Sequence, residues 1–125
     1  MGKEERNTYT IQRDENVGEV KIADEVVASI AAFATMDVEG VASIGGTTKE
    51  MGRLSMKTPS KGVKIDVLEG IVTVTLTLNL LYGYSLVEVS NRIQEKVKTS
   101  IESMTGLTVA DVNIRVVGVK VPEEA

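Results

Sequence analysis

Residues 71–105 read IVTVTLTLNLLYGYSLVEVSNRIQEKVKTSIESMT, and their hydrophobic period changes from two residues to a helical spacing near residue 85. Apolar and polar side chains alternate in residues 71–81, which predicts a strand with one apolar face. Ser85 and Glu88 then form a capping box, and Gly106 supplies a C-terminal stop for a helix over residues 85–105. The apolar stripe of this helix predicts packing on the sheet and consists of Leu86, Val89, Ile93, Val97, Ile101 and Met104.

The segments on both sides of this stretch are predicted to be strands. Upstream, residues 63–68 alternate as well, and Glu69-Gly70 turns the chain back at residue 71, which predicts a β-hairpin. Downstream, residues 107–119 alternate until Val116, Val117 and Gly118 interrupt the period, which indicates a β-bulge. Strand 71–81, helix 85–105 and strand 107–119 therefore form a β-α-β unit, whose crossover we expect to be right-handed if the strands are parallel.

The N-terminal part adds a second helix. Over residues 23–38, Asp24 and Glu25 occupy the first turn and Gly40 follows as a stop. The apolar positions at helical spacing are Val26, Val27, Ile30, Phe33 and Ala34. With short strands at 18–22 and 41–44, the predicted fold is α+β: a two-layer sandwich with two helices on one face of a mixed four- to five-stranded sheet.

Chain length and composition predict one domain. A chain of 125 residues is near the commonest size of an independent domain, and 42% hydrophobic residues are enough for a core. We predict a polar, loosely ordered N-terminal tail over residues 1–16, one α+β domain over residues 17–121, and an acidic end over residues 122–125. Within the domain, residues 45–61 are predicted to form a flexible basic loop.

The absence of Cys and His restricts the chemistry that the chain can perform. It removes thiolate zinc sites, Cys nucleophiles, the usual general base at neutral pH and the commonest transition-metal ligand. The segment GTTKEMGR at residues 46–53 lacks the Gly-Lys-Ser/Thr of a phosphate loop. We therefore expect no enzyme activity and no catalytic, cofactor-binding or metal-binding residues.

Charge and hydropathy indicate the compartment and the class of partner. A net charge of −4 argues against general nucleic-acid binding, which depends on Lys and Arg neutralising phosphates. The polar N-terminus does not resemble a secretory signal, and no stretch approaches the ~20 apolar residues of a membrane span. We expect a cytoplasmic protein that binds no nucleic acid and reaches a membrane only through a partner.

Two surfaces remain as candidates for binding. The polar positions of the predicted sheet would point away from the helices, and they include Thr73, Thr75, Thr77, Asn113 and Arg115. This face is either simply solvated or a self-association or partner surface, since rows of uncharged Thr cost less to dehydrate than charges do. The 45–61 loop is either a solvated loop or an anion- or lipid-contacting site that would use Lys49, Arg53, Lys57 and Lys61.

Four stretches follow one another from Gly18 onward: GEVKIADEVVASIAA, GVKIDVLEG, LLYGYSLVEVSNRIQEKVKTSIESMTG and VADVNIRVVGVKV. In this order and spacing they resemble the bacterial alkaline shock protein family, in a short form without a long charged C-terminal extension. The resemblance implies a cytoplasmic protein of cell-envelope stress response or homeostasis, with no established catalytic residues. It also implies that some members self-associate and are held at the membrane by a membrane-embedded relative.

Two functions remain from the sequence. The first is a non-enzymatic protein-interaction or scaffold domain in cell-envelope homeostasis or stress response. The alternative is a small-ligand-binding or enzyme-accessory domain linked to lipid metabolism, which would form a pocket from the 45–61 loop with Tyr82 and Tyr84.

Overall fold

The computed structural model of the chain describes residues 8–14, 17–45 and 62–121. Six strands and two helices follow one another in these ranges. They are β1 (Thr8–Asp14), β2 (Gly18–Ala23), α1 (Asp24–Met36), β3 (Val41–Ile44), β4 (Val63–Leu68), β5 (Ile71–Leu81), α2 (Leu86–Thr105) and β6 (Thr108–Lys120). Strands β1 and β2 form an antiparallel hairpin of their own, and the other four strands form the main sheet.

Strand β5 is the central strand of the main sheet. Along one edge it pairs in parallel with β6, and along the other it pairs antiparallel with both β4 and β3. The two antiparallel strands lie end to end, because the Thr77 carbonyl accepts from the Gly45 N–H at 2.6 Å while the Thr77 N–H donates to Gly62 O at 2.9 Å. In the sequence, residues 46–61 therefore separate two strands that follow one another along the same edge of β5.

This topology confirms the α+β class, with two helices on a sheet that is antiparallel except for the β5–β6 pair. The β4–β5 hairpin is confirmed, and both of its turn residues, Glu69 at φ 53° and Gly70 at φ 78°, have positive φ. The bulge at the end of β6 is also confirmed, because the register skips Val117 between Val116 and Gly118. The right-handed crossover remains a prediction.

The hydrophobic core lies between the sheet and the two helices. Alternate β5 side chains are fully buried against the helices: Val72, Val74, Leu76, Leu78 and Leu80. Helix α2 adds Val89, Ile93, Val97 and Ile101, and α1 adds Val27, Ala28, Ile30, Ala31, Ala32 and Ala34. Helix α1 packs against β3, β4 and α2, and its small alanines allow a close approach. Both helices therefore cover the same face of the sheet.

The ends of α2 follow the predicted signals, but its apolar stripe does not. Ser85 Oγ accepts from the Glu88 N–H at 3.2 Å, and Gly106 caps the helix at φ 79°. Leu86 and Met104, predicted to be core residues, are 42% and 66% exposed. Thr105 is buried in the last turn instead.

Thr105 can be buried because its hydroxyl both donates and accepts a hydrogen bond. Its Oγ donates to Ile101 O at 2.7 Å and accepts from the Leu107 N–H at 3.1 Å. A buried hydroxyl with both bonds made avoids most of the cost of desolvation.

The N-terminal part of the chain also departs from the sequence prediction. Residues 8–14, expected to belong to a loosely ordered tail, form β1. The run Thr-Tyr-Thr-Ile at residues 8–11 combines β-branched and aromatic residues, which favour strands, within a polar surrounding that obscured the signal. On α1, Val26 and Phe33 are about half exposed, because they lie on the side of the helix away from the sheet and α2.

Candidate functional site

The face of the main sheet opposite the helices carries the residues that the sequence proposed for partner binding. We call it the polar sheet face. Registers across the strands place Lys64 beside Thr75 and Thr75 beside Asn113, and place Arg115 beside Thr77. Its residues are Lys64, Asp66, Thr73, Thr75, Thr77, Asn79, Asp111, Asn113 and Arg115. One surface, which no described helix covers, therefore carries Thr73, Thr75, Thr77, Asn113 and Arg115, and their role in partner binding stays a prediction.

The charges of the polar sheet face balance. Lys64 and Asp66 lie on β4, and Asp111 and Arg115 lie on β6, so two acidic and two basic side chains flank the central threonines. Asp66 and Asp111 are both in register with Thr73, one on each side of it. Two strand spacings, about 10 Å, separate their backbones, which is too far for a carboxylate pair to share one proton.

One end of the polar sheet face is held by Asn79. Its Nδ2 donates to Ser43 Oγ at 3.0 Å and to Gly45 O at 3.3 Å, which ties the end of β3 to β5. On the other side, Asn79 is in register with Gly118 of β6, and an ideal Cβ on Gly118 would overlap Asn79 Oδ1. Glycine at position 118 therefore leaves the space in which this amide makes its two bonds.

The opposite end of the polar sheet face is apolar. Leu68 and Ile71 are directly paired beside the β4–β5 turn, and they are 72% and 45% exposed. Their place in the strands puts them on the same face as Lys64, Asp66 and Thr73. The sequence pattern alone does not single out Leu68 and Ile71 as a binding feature, although one signal is present: Leu68 interrupts the alternation of β4 with an apolar residue at a polar position.

A shallow cleft of about 550 Å³ lies between the end of α1 and the middle of α2, on the helical side of the molecule. It is lined by Asp37, Val38, Glu39, Arg92, Glu95, Lys96 and Thr99. Lys96 Nζ contacts Asp37 Oδ2 at 2.7 Å, and this hydrogen bond and charge hold the pKa of Asp37 below its ordinary value. The cleft is open and most of its lining residues are charged, whereas a typical small-molecule site is enclosed and lined mainly by apolar side chains.

Of the two tyrosines of the alternative pocket, Tyr84 lies beside the cleft rather than in it. Tyr84 Oη donates to Glu39 Oε2 at 3.3 Å, and the negative charge of Glu39 raises the pKa of Tyr84. Tyr84 also packs over Gly40, whose ideal Cβ would stand 3.1 Å from the ring. Tyr82 is exposed. Neither tyrosine lines the cleft.

The remaining predicted residues fall outside this geometry. Lys49, Arg53, Lys57 and Lys61 lie outside the described residues, so the anion- or lipid-contacting loop stays a prediction. Within residues 8–14, 17–45 and 62–121, no group of three or more Asp or Glu is arranged to hold a metal ion. Neither α1 nor α2 combines the length and apolar composition that a bilayer-spanning helix requires.

Comparisons with known proteins identify relatives over most of the chain. The sequence model of the alkaline shock protein 23 family, described as having a cell envelope-related function, matches residues 12–121. The uncharacterized protein YqhY of Bacillus subtilis (strain 168) is 32% identical over 114 residues, which cover 90% of this chain and 84% of YqhY. No solved structure matches at a significant level.

Two further relatives also align over most of this chain and most of their own length. The uncharacterized protein Spy1535 of Streptococcus pyogenes serotype M6 is 34% identical over 106 residues, covering 84% of this chain and 81% of the relative. The uncharacterized protein YloU of Bacillus subtilis (strain 168) is 29% identical over 108 residues, covering 83% of this chain and 90% of the relative.

Proposed function

Because the chain belongs to the alkaline shock protein 23 family, for which a cell envelope-related function is described, we propose that it is a non-enzymatic protein-interaction domain. In this proposal it acts as a scaffold in cell-envelope homeostasis or stress response, and its polar sheet face is the surface that binds the partner. The observation that carries the proposal is the asymmetry of the sheet: both described helices pack on one face, and on the opposite face the β5 threonines remain partly exposed.

The composition of the polar sheet face suits protein binding. Thr73, Thr75 and Thr77 form a row of short, uncharged side chains that lose less hydration free energy on burial than charged side chains would. Leu68 and Ile71 add exposed apolar area at one end, which a partner would remove from water at a gain of roughly 25 cal/mol per Å². The face thus combines an exposed apolar pair at one end with central threonines whose burial costs little hydration free energy.

The charged residues at the margins of the polar sheet face would orient the partner. Lys64 and Asp66 lie on one side of the threonine row, and Asp111 and Arg115 lie on the other. With no net charge on the face, long-range attraction is weak, and the alternation of signs would determine the register of binding more than its strength.

The perturbed side chains of the described residues support a non-enzymatic role. The groups with shifted pKa values are Asp37, Tyr84 and Glu102, and each shift follows from a neighbouring charge or backbone hydrogen bond at the surface. None of the three lies on the polar sheet face. Catalytic sites usually combine burial with such shifts, and that combination does not occur at these residues.

A matched pair of substitutions tests the proposal. Thr75→Glu introduces a charge at the centre of the polar sheet face, where Lys64 on the neighbouring strand can accommodate it. Thr99→Glu makes the same change on the exposed side of α2. Tagged wild-type and variant proteins would be recovered from the native cells, and bound proteins quantified by mass spectrometry after thermal unfolding has established that both variants fold.

We expect wild type and Thr99→Glu to enrich the same partners and Thr75→Glu to lose them by tenfold or more. Equal enrichment by all three proteins would contradict binding through the polar sheet face. Loss with Thr99→Glu alone would assign the interaction to the helical side instead.

A further inference from the structure

The outer edge of β6 is an unpaired strand edge within the described residues. Strand β6 pairs with β5 along its inner edge, and none of the other described strands pairs with it. Two of its backbone groups point outward and are bonded by α2 side chains: Val112 O accepts from Gln94 Nε2 at 3.0 Å, and the Val109 N–H donates to Glu102 Oε2 at 2.9 Å. Because backbone direction alternates along a strand, the groups of Ile114 and Val116 also point outward.

The regular part of this edge lies between two bulges. The register with β5 skips Ala110 at one end and Val117 at the other, so residues 111–116 form an uninterrupted strand segment. On the polar sheet face this segment presents Asp111, Asn113 and Arg115, spaced by two residues with opposite charges around a central amide. When two copies of this segment run antiparallel, each charged side chain can therefore face one of opposite charge.

We propose that the outer edge of β6 pairs antiparallel with β6 of a second copy of this chain, in a register centred on Asn113. In this register Asp111 of each copy stands directly opposite Arg115 of the other, and the two Asn113 residues face each other. On the helical side, Val112 stands opposite Ile114 of the second copy, so that two half-buried apolar side chains cover one another. The pairing is a closed twofold interface.

Charge complementarity determines the register. A register centred on Asp111 would place two aspartates opposite each other, and one centred on Arg115 would place two arginines opposite each other, both of which are unfavourable. Aligning Asp111 with Lys120 would place Arg115 opposite Val116, and these side chains lie on opposite faces of the sheet. Of these registers, the one centred on Asn113 satisfies charge and face together.

The backbone directions fit the same register. Val112 and Ile114 point their backbone groups outward and would exchange two hydrogen bonds across the interface, while Asp111 and Arg115 would occupy the closer, non-hydrogen-bonded pairs. A carbonyl oxygen has two lone pairs, so Val112 O can keep its bond from Gln94 while it accepts a second one. The bond that Gln94 of α2 makes at this edge is therefore compatible with pairing.

This inference goes beyond the proposed function, because it assigns a second contact surface to the same domain and names a second copy of the chain as its partner. Pairing through β6 would extend the sheet and join the two polar sheet faces into one continuous surface. The central threonines stay uncovered in such a dimer, so binding of another protein there and pairing at β6 are separable.

The first experiment is a charge exchange. Asp111→Arg and Arg115→Asp each place like charges opposite one another, and the double variant restores opposite charges with the two residues swapped. Sedimentation velocity over a series of protein concentrations at low ionic strength would give the dimer dissociation constant. We expect each single variant to raise it by about tenfold or more and the double variant to return it near the wild-type value. Lys64→Glu on β4 is the control and should leave it unchanged.

The second experiment uses the absence of cysteine in the chain. In a non-hydrogen-bonded antiparallel pair the two Cα atoms are about 4.5 Å apart, which is within the range that a disulfide bridges. Asn113→Cys should therefore form a covalent dimer on mild oxidation. Thr75→Cys is the control, because Thr75 is in register with Asn113 on the central strand but lies away from the edge.

A wild-type protein that remains monomeric at every concentration would overturn the inference, as would single variants with unchanged dissociation constants or equal disulfide formation at positions 113 and 75. The proposed function fails by a different result, since it requires Thr75→Glu to lose its partners, and Thr75 makes no contact across this β6 interface.

Discussion

Gly118→Ala should destabilise the protein because of one neighbouring side chain, that of Asn79. The φ angle of Gly118 lies outside the left-handed region, so the backbone itself accepts alanine. The obstacle is Asn79 Oδ1, which an alanine Cβ at position 118 would overlap. To relieve the overlap the amide must rotate or withdraw, and its bonds to Ser43 Oγ at 3.0 Å and Gly45 O at 3.3 Å are then lost or weakened.

The expected cost follows from these two hydrogen bonds. Each contributes about 0.5–1.5 kcal/mol, and Ser43 is only 4% exposed, so its hydroxyl would lose a partner in a buried place. We expect Gly118→Ala to lower the free energy of unfolding by about 1–3 kcal/mol. Asn79→Ala should cost a similar amount, since it deletes the same bonds. In the Asn79→Ala background, Gly118→Ala should then be neutral or stabilise by up to about 1 kcal/mol, because alanine restricts the unfolded chain.

Urea denaturation of the four proteins gives the coupling free energy of this double-mutant cycle. We expect a coupling of about 1–3 kcal/mol, with the double variant close to Asn79→Ala in stability. Additive effects, with a coupling near zero, would show that Gly118 does not act through the Asn79 amide and would refute the reasoning.

Three other predictions concern the core, a turn and a surface carboxylate. Ile93→Ala should lower the free energy of unfolding by about 2–5 kcal/mol, whereas Met104→Ala should change it by less than about 0.5 kcal/mol, as measured by urea denaturation. Gly40→Ala, at φ +103° with its ideal Cβ only 2.8 Å from a core side chain of α2, should cost about 1–3 kcal/mol and lower the melting temperature. The pKa of Glu102 is held below its ordinary value chiefly by the Val109 N–H, so its contribution to stability is present at neutral pH and is lost as the pH falls through the lowered pKa. The stability difference between wild type and Glu102→Gln should therefore shrink below about pH 4, and a difference independent of pH would contradict that role.

The central unit of the fold could be predicted because its local signals agree with its tertiary contacts. The alternation of β5, the serine cap of α2, and Gly106 each specify the structure that packing then stabilises. Met104 and Thr105 show the limit of the pattern. Both are compatible with helical spacing, and the burial of Thr105 depends on hydrogen bonds to Ile101 and Leu107 that form only at the completed helix end.

The sequence predicts which residues form the centre of the polar sheet face, but it does not predict what lies at the ends of that face. Alternation identified Thr73, Thr75 and Thr77, whereas the exposed pair of Leu68 and Ile71 required the hairpin register. The end-to-end arrangement of β3 and β4 could not be inferred either, because it depends on both strands choosing the same edge of β5 across the inserted residues 46–61.

The most direct test of binding through the polar sheet face is photo-crosslinking in living cells. A photoreactive amino acid at position 75 samples the centre of that face, and the same residue at position 99 samples the exposed side of α2. We expect position 75 to give defined adducts with a cell-envelope protein partner and position 99 to give none of comparable yield. Adducts from position 99 with none from position 75 would contradict the assignment of partner binding to the polar sheet face.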